Sequence, residues 1–301
     1  MGNRRKEKME IGQVIRYIRK NKNITQQALA DAIGMTRPYI ARIESGKNSI
    51  SSDKLTEILE YCNVTYNEFF YIKNDYKKSS KMNEFNKVLK LYYANEIEEI
   101  SKIKLEVKKR YEESGDMFLR HLYIQCHCIE NDFDLNKINR EYLDEIADYL
   151  LSVDEWCYHE LVMLNNFIFL FPPSTAFLMT KNLLNRAEKY KELNTDSKVL
   201  SFLFFNLLEF SFRYDGYNYS KLILDATKKY FTETTEFFEQ TLLLFYEGMM
   251  DVVENSVTEG IEKCNRAFTV FQALGHDKIY EKYKDELNQL LKKVEANNPA
   301  N

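Results

Sequence analysis

Apolar residues recur every three or four positions through most of the 301-residue chain, and with only 9 Gly and 4 Pro few of these runs are interrupted. The pattern predicts an all-α protein with no large sheet. Ile11, Val14, Ile15 and Ile18 share one face of a helix over 11–21, with Arg16, Arg19 and Lys20 on another. Thr25 caps a second helix with Leu29, Ala32 and Ile33 turned inward, and Gly34 supplies a tight turn. Thr36 caps a third helix running to about Ser45, with Pro38 in its first turn, Ile40 and Ile43 inward and Gly46 past its end. Ser52 opens a fourth with Leu55, Ile58, Leu59 and Cys62 at helical spacing, and a short fifth covers Thr65 to Tyr71.

Past a charged connector, the pattern predicts helices over 82–93, 95–113, 116–130, 139–151, 154–171, 174–190, 196–213, 217–231, 235–253, 256–273 and 277–295. The starts at 154, 196 and 235, and those at 174, 217 and 256, repeat at intervals near 40 residues. Two helices per period of that length mark an α-solenoid, longer than the 34-residue tetratricopeptide unit. The expected domains are a head at 1–72, a linker at 73–81, a helical-repeat body at 82–295 and a flexible tail at 296–301.

Charge sharpens this division. Residues 1–80 carry 15 Lys and Arg against 9 Asp and Glu, a balance of +6, and the other 221 carry 27 against 37, a balance of −10, together the net −4 of the whole chain. A basic head on an acidic body points the head toward a polyanion. The longest apolar run, Leu161 to Phe171, is cut by Asn165 and Asn166 and stopped by Pro172 and Pro173, so no membrane span is expected. The basic opening MGNRRKEKME lacks the apolar segment of a secretory signal, and five cysteines without CxxC spacing do not read as a disulfide framework, which together predict a cytoplasmic protein.

Two helices joined by a short glycine turn, the second opening with polar residues, form the unit that lays its second helix in the DNA major groove. The run TQQALADAIGMTRPYIARIESGKNSIS resembles the helix-turn-helix of phage repressors and their relatives. That resemblance implies that Gln26 meets phosphate, that Thr36, Arg37 and Arg42 face base edges and phosphates, and that Arg19 and Glu44 form an internal ion pair. An Arg fork suits the guanine edge because it donates two parallel hydrogen bonds. Lys47, Asn48 and Ser49 are placed for phosphate contacts that fix register, and Arg16 and Tyr39 complete the expected DNA-binding set. The tail residues Arg4, Arg5, Lys6 and Lys8 read equally as a solvated end or a minor-groove arm.

In each pair of the body the first helix is the more apolar, as in LVMLNNFIFLF, LSFLFFNLLEFSF and LLLFYEGMM, and such helices line the inner side of a solenoid that binds extended chains. Asn165, Asn166 and Asn206 stand out there because a buried amide needs a partner, and an Asn offers the donors and acceptor that match a peptide unit. Neighbouring helices or buried water are the alternative partners. Asn165 and Asn166 sit about 100° apart, so at most one points fully into a groove. Phe202, Phe205, Phe210, Tyr214, Phe245 and Tyr246 either form side-chain pockets or belong to the core; Phe202 and Tyr246 join the three asparagines as the candidate peptide-binding set. Glu141 to Thr180 and Tyr230 to Glu262 contain no Lys or Arg; either these acids border the groove, in which case a ligand presents a free amine or a Lys rather than further carboxylates, or they cover the solvated convex face.

No catalytic, metal or cofactor site is expected. Cys126, His127 and Cys128 splay in about 100° steps on one helix, His121 and Cys128 miss the i, i+4 spacing, Cys157 and His159 do not share a face, and no glycine loop cradles a phosphate.

The opening MEIGQVIRYIRKNKNITQ, the segment SGKNSISSDKLTEIL and the helix WCYHELVMLNNFIFLF together resemble the Rgg/MutR branch of the Gram-positive peptide-sensing regulators, over nearly the full chain. The resemblance implies a five-helix DNA-binding head followed by a right-handed superhelix of tetratricopeptide-like repeats, acting as a homodimer on double-stranded operator DNA and controlled by a short signalling peptide in quorum sensing. It places a peptide-clamping amide at Asn165 or Asn166. Some relatives cross-link the dimer through a cysteine just after helix three; ESGKNS has none. Contact with RNA polymerase is a further implied partner. Two other readings are a regulator whose body recruits a protein without sensing a peptide, and an enzyme with a DNA-targeting head.

Overall fold

The computed structural model describes residues 9–77, 80–184, 197–231 and 236–297, and the described residues hold sixteen α-helices, one 3-10 turn and no strand. The chain divides into two compact units, Met1–Cys126 and His127–Asn301. The first unit therefore takes in two helices and most of a third beyond the expected 72-residue head, and the expected linker at 73–81 spans the end of one helix and the start of the next. The basic tail Arg4, Arg5, Lys6 and Lys8 lies outside the described residues.

In the first unit, α1 (Ile11–Asn21), α2 (Gln26–Ala32), α3 (Arg37–Glu44), α4 (Ser52–Tyr61) and α5 (Tyr66–Lys73) close around Val14, Ile15, Ile18, Leu29, Ile40, Ile43, Ile58 and Phe69. Side-chain caps start three of these helices. Thr25 accepts from the Ala28 amide at 3.0 Å, Ser51 from the Lys54 amide at 3.4 Å, and Thr65 from the Glu68 amide at 3.2 Å while Glu68 accepts from the Thr65 amide. Each such cap stabilises its helix by about 1 kcal/mol. The fourth helix opens at Ser52 as expected, and Ser51 before it supplies the cap. Thr36 precedes α3 with extended backbone, but its hydroxyl makes no capping bond; Pro38, in the first turn, leaves one fewer amide to satisfy. Ala32 is exposed, and Ala30 takes the inward place expected of it, because the chain leaves the helix at Ile33 and turns through Gly34 at φ +63°. Lys54 secures this turn by donating from Nζ to the Ile33 carbonyl at 2.9 Å. α6 (Ser80–Tyr93), α7 (Ile97–Ser114) and α8 (Met117–Glu130) follow.

The second unit runs through α9 (Arg140–Ser152), α10 (Tyr158–Phe167), α11 (Pro173–Leu184), α12 (Ser197–Arg213), α13 (Tyr217–Phe231), α14 (Phe237–Val253), α15 (Val257–Ala273) and α16 (Asp277–Asn297). α10, α12, α14 and α16 begin at residues 158, 197, 237 and 277, every 39 or 40 residues, as the repeat requires. The helix expected over 154–171 is shorter. Glu160 accepts from the Cys157 amide at 2.7 Å and starts α10 there, and Phe171, preceding two prolines, is forced to extended backbone at ψ 150°, so the last turn tightens to a 3-10 turn at Ile168–Leu170. The end of the helix expected over 174–190 lies outside the described residues. Trp156 is buried and donates to the Leu150 carbonyl at 3.1 Å, which anchors the entry to α10. α14 and α15 approach closely because Gly248 and Gly260 face each other: a Cβ on Gly248 would lie 2.5 Å from the Gly260 carbonyl oxygen.

Candidate functional site

The head presents an open cleft of about 910 Å³ lined by α1, α2 and α3. Arg16 and Lys20 from α1, Gln27 from α2 and Arg37 from α3 stand exposed along it, with Ala41 between the helices. Its floor is a buried ion pair. Arg19 donates from Nε to Glu44 Oε1 at 2.6 Å and from Nη2 to Oε2 at 2.9 Å, and its Nη1 reaches the Ile24 carbonyl at 2.7 Å. This fork joins the end of α1, the entry to α2 and the end of α3, so it sets the angle between the helices of the motif. The Glu44 hydrogen bonds raise the Arg19 pKa still further. Burial works to raise the Glu44 carboxyl, but the bonds from Arg19 and Gln26 outweigh it and hold the group below the ordinary carboxylate range.

Of the nine residues expected to meet DNA, the cleft gathers Arg16, Gln26 and Arg37, and Ser49 is exposed outside its lining. Gln26 spends its amide inside the head, donating from Nε2 to Glu44 Oε2 at 2.9 Å, and sequence alone did not reveal that partner. Thr36, Arg42 and Lys47 are exposed outside the cleft lining. Asn48 is half-buried in the turn after α3, where the Lys47 and Asn48 amides both donate to the Arg42 carbonyl. Tyr39 is half-buried and packs against the head's core. Lys20 and Gln27 are cleft residues absent from the expected set; their signal was exposure on the faces opposite the apolar stripes of α1 and α2.

In the second unit α12 is enclosed on almost every side: from Leu203 to Phe212 only Asn206 is more than marginally accessible, and Phe202, one turn earlier, is 52% exposed. That open line meets α10 through amides. Asn206 donates from Nδ2 to Asn165 Oδ1 at 3.0 Å, Asn165 donates to Asn166 Oδ1 at 3.4 Å, and Asn166 Nδ2 is shielded from solvent with no partner among the described residues. The three expected asparagines are therefore brought together in one chain. Tyr246 is not with them: it is fully buried, stacks on Phe205 and Phe212, and donates its hydroxyl to Glu286 at 3.3 Å. It is a core residue, because α16 covers the face of α14 that carries it; Phe205, Phe210 and Phe245 are core as well.

No described helix is long and apolar enough to cross a membrane. Residues 15–69 match the helix-turn-helix family, and residues 101–285, more than half of the chain, match the family described as "HTH-type transcriptional regulator Rgg, C-terminal domain". Among solved structures, a putative transcriptional regulator from Listeria monocytogenes EGD-e is similar at 25% identity and a TM-score of 0.78, with 94% of this chain and 97% of that one covered. The SHP pheromone receptor Rgg2 of Streptococcus dysgalactiae shares the fold at 22% identity and a TM-score of 0.76, over 93% and 99% of the two chains. PrgX in its complex with cCF10 shares it at 13% identity and a TM-score of 0.71, over 94% and 92%. A helix-turn-helix head with a cation-lined cleft, and a body matched along most of its length, identify the chain as a member of the Rgg family of HTH-type transcriptional regulators.

Proposed function

We propose that this regulator reads operator DNA with the cleft face of its head and is controlled by a short signalling peptide held along the open line of α10 and α12. The observation that carries the peptide reading is the amide chain. Asn166 ends it with an unused, shielded Nδ2 donor, and Asn206 Oδ1 receives no donor among the described residues, so the chain keeps one donor and one acceptor unused, the complement of a peptide carbonyl and N–H. A shielded donor without a partner costs on the order of 1–3 kcal/mol, a cost that a bound backbone removes. Phe202 adds an exposed apolar contact beside the chain. Two chains of the same fold support the reading, one described as a pheromone receptor and one solved with cCF10.

On the DNA side, Arg16, Lys20 and Arg37 supply the cleft's cations, and Arg42 and Lys47 extend them along the recognition helix and its exit turn. The domain division behind this is a reading head at 1–72 and a peptide-binding body from 82 onward; the regulator works in the cytoplasm as a homodimer on paired half-sites, with RNA polymerase as a further contact at the promoter. Alanine at Asn165, Asn166 or Asn206 is the test, with synthetic short peptides encoded beside the gene as probes and a promoter reporter as readout. The response to peptide is expected to disappear while duplex DNA binding and folding persist; an unchanged response refutes the clamp. Arg37→Ala with Arg42→Ala is expected to weaken duplex binding, and retained affinity and sequence preference refute that assignment.

A further inference from the structure

The polar contacts between the repeat's first helices keep one register. Asn165 on α10 and Asn206 on α12 are 41 residues apart and hydrogen-bonded; Tyr246 on α14 and Glu286 on α16 are 40 apart and hydrogen-bonded; and 40 residues separate Asn206 from Tyr246. Glu286 is thus the register equivalent of the asparagines on the last helix of the stack. It borders a cavity of about 250 Å³ lined by α12, α14 and α16, with Phe212, Met249 and Leu290 as its apolar wall. A water's share of liquid volume is about 30 Å³, so the space takes a side chain or chain end rather than a single solvent molecule.

The cavity's cations make their hydrogen bonds to other groups. Arg213 and Lys282 both bond to Glu209, at 2.7 Å to Oε1 and 2.7 Å to Oε2. Lys293 is held by the carbonyls of Phe212 and Arg213 and by Asp215. Glu286 receives only the long Tyr246 bond on Oε2; its Oε1 is shielded from solvent and has no hydrogen-bond donor, with Lys282 Nζ 3.8 Å away. Glu209 lies three residues after Asn206 on α12, a rise of about 4.5 Å, so the cavity adjoins the amide line.

We propose that this cavity seats a cationic group of the bound peptide, its α-amino group or a Lys or Arg side chain, with Glu286 Oε1 as the acceptor. The proposal rests on the peptide reading above and names the chemistry of one end of that ligand. An ammonium or guanidinium supplies the donor that Glu286 lacks, and its aliphatic neighbours pack on Phe212, Met249 and Leu290. Burial, then the Glu209 charge, raise the Glu286 pKa to about 7 against the opposing effects of Lys282, Tyr246 and Arg213; Tyr283 and Asp285 are the other ionisable neighbours on α16. The cation therefore competes with a proton.

The test uses the full-length protein, immobilised, and a random octapeptide pool offered with free or acetylated amino termini, the retained peptides being sequenced by mass spectrometry. Wild type is expected to enrich peptides carrying a free α-amino group, Lys or Arg, and Glu286→Gln to retain peptides but lose that preference. For one selected peptide with an acetylated amino terminus and a Lys or Arg side chain, which stays charged throughout, wild-type affinity is expected to rise about tenfold between pH 6 and pH 8 as the competent, ionised fraction of Glu286 grows, and to stay flat in Glu286→Gln. Trp156 fluorescence during thermal denaturation checks that the variant folds. Enrichment in wild type without a cationic preference, or the same preference in Glu286→Gln, overturns the proposal and leaves the peptide reading standing. No enrichment of any peptide by wild type overturns the peptide reading itself, and this proposal with it.

Discussion

Gly12 lies in the first turn of α1, directly against the end of α3. A Cβ at that position would sit 1.9 Å from the Ile43 carbonyl oxygen and 2.8 Å from its carbon. Ordinary contact begins near 3.4 Å, so Gly12→Ala pushes the two helices apart by about 1.5 Å, and the obstacle is backbone that no rotamer change removes. Alanine gains about 1 kcal/mol of helix propensity, which works against the effect. Overpacking of a tight contact costs about 1–3 kcal/mol when side chains yield, and here the separation also stretches the 2.6 Å Arg19–Glu44 bond that ties α1 to α3. A net loss of about 2–4 kcal/mol in head stability is expected, with α3 displaced from its place in the cleft. The comparison variant is Gly34→Ala. Its φ of +63° strains any side chain by about 1–2 kcal/mol, but nothing lies within 4 Å of the added atom, so the α1–α3 contact is untouched. Urea unfolding followed by far-UV circular dichroism measures the stabilities, and fluorescence anisotropy on a mixed-sequence duplex at about 50 and about 200 mM salt measures binding. Gly12→Ala should lose more stability than Gly34→Ala and bind duplex more weakly at both salt concentrations. Wild-type stability and affinity in Gly12→Ala would refute the claim that this backbone contact sets the reading face.

Arg19→Met leaves Glu44 buried without its fork and should cost about 3–5 kcal/mol at neutral pH. Because the folded pKa of Glu44 lies below its unfolded value, the pair's contribution is present above the ordinary carboxylate pKa and is lost as pH falls through the folded one; equal destabilisation at about pH 3 and about pH 7 in urea unfolding would exclude the pair as its source. Gly248→Ala places a Cβ 2.5 Å from the Gly260 carbonyl oxygen and 2.7 Å from Cys264 Sγ, and should lower the melting temperature of the second unit by about 5–10 °C in Trp156 fluorescence; an unchanged melt counts against the close approach of α14 and α15. Glu286 has a folded pKa of about 7, above the ordinary 4.5, so stability that is complete below pH 4.5 declines as pH rises through 7, by at most about 3 kcal/mol. Glu286→Gln should flatten that slope in denaturant melts between about pH 5 and about pH 8, and a slope equal to wild type would assign it to other groups.

Helix positions were legible because their causes are local. Thr25, Ser51 and Thr65 cap within three residues of themselves, and the turn at Gly34 and the stop before Pro172 are written in one or two residues. Whatever depends on which helix covers which face was not legible. Gly12 is an ordinary weak point of a helix until Ile43, far along the chain, comes against it, and Gln26 is a surface amide until Glu44 takes its proton donor. Phe202 and Tyr246 are both aromatic residues on apolar helices, yet one is 52% exposed and the other fully buried, because α16 covers Tyr246 while the line through Phe202 and Asn206 is left open among the described residues of α12. The asparagines stand out by their chemistry, as amides where hydrocarbon is expected. Their pairing was within reach of the sequence all the same, since the period near 40 that organises the apolar residues also relates Asn165 to Asn206 and Tyr246 to Glu286. A repeat places equivalent positions of successive first helices side by side, so a polar residue one period from another polar residue has its partner supplied by the architecture. Applied to polar positions as well as apolar ones, the same arithmetic would have moved Tyr246 from the groove to the Glu286 contact and brought Glu286 forward as the residue whose second oxygen still lacks a donor.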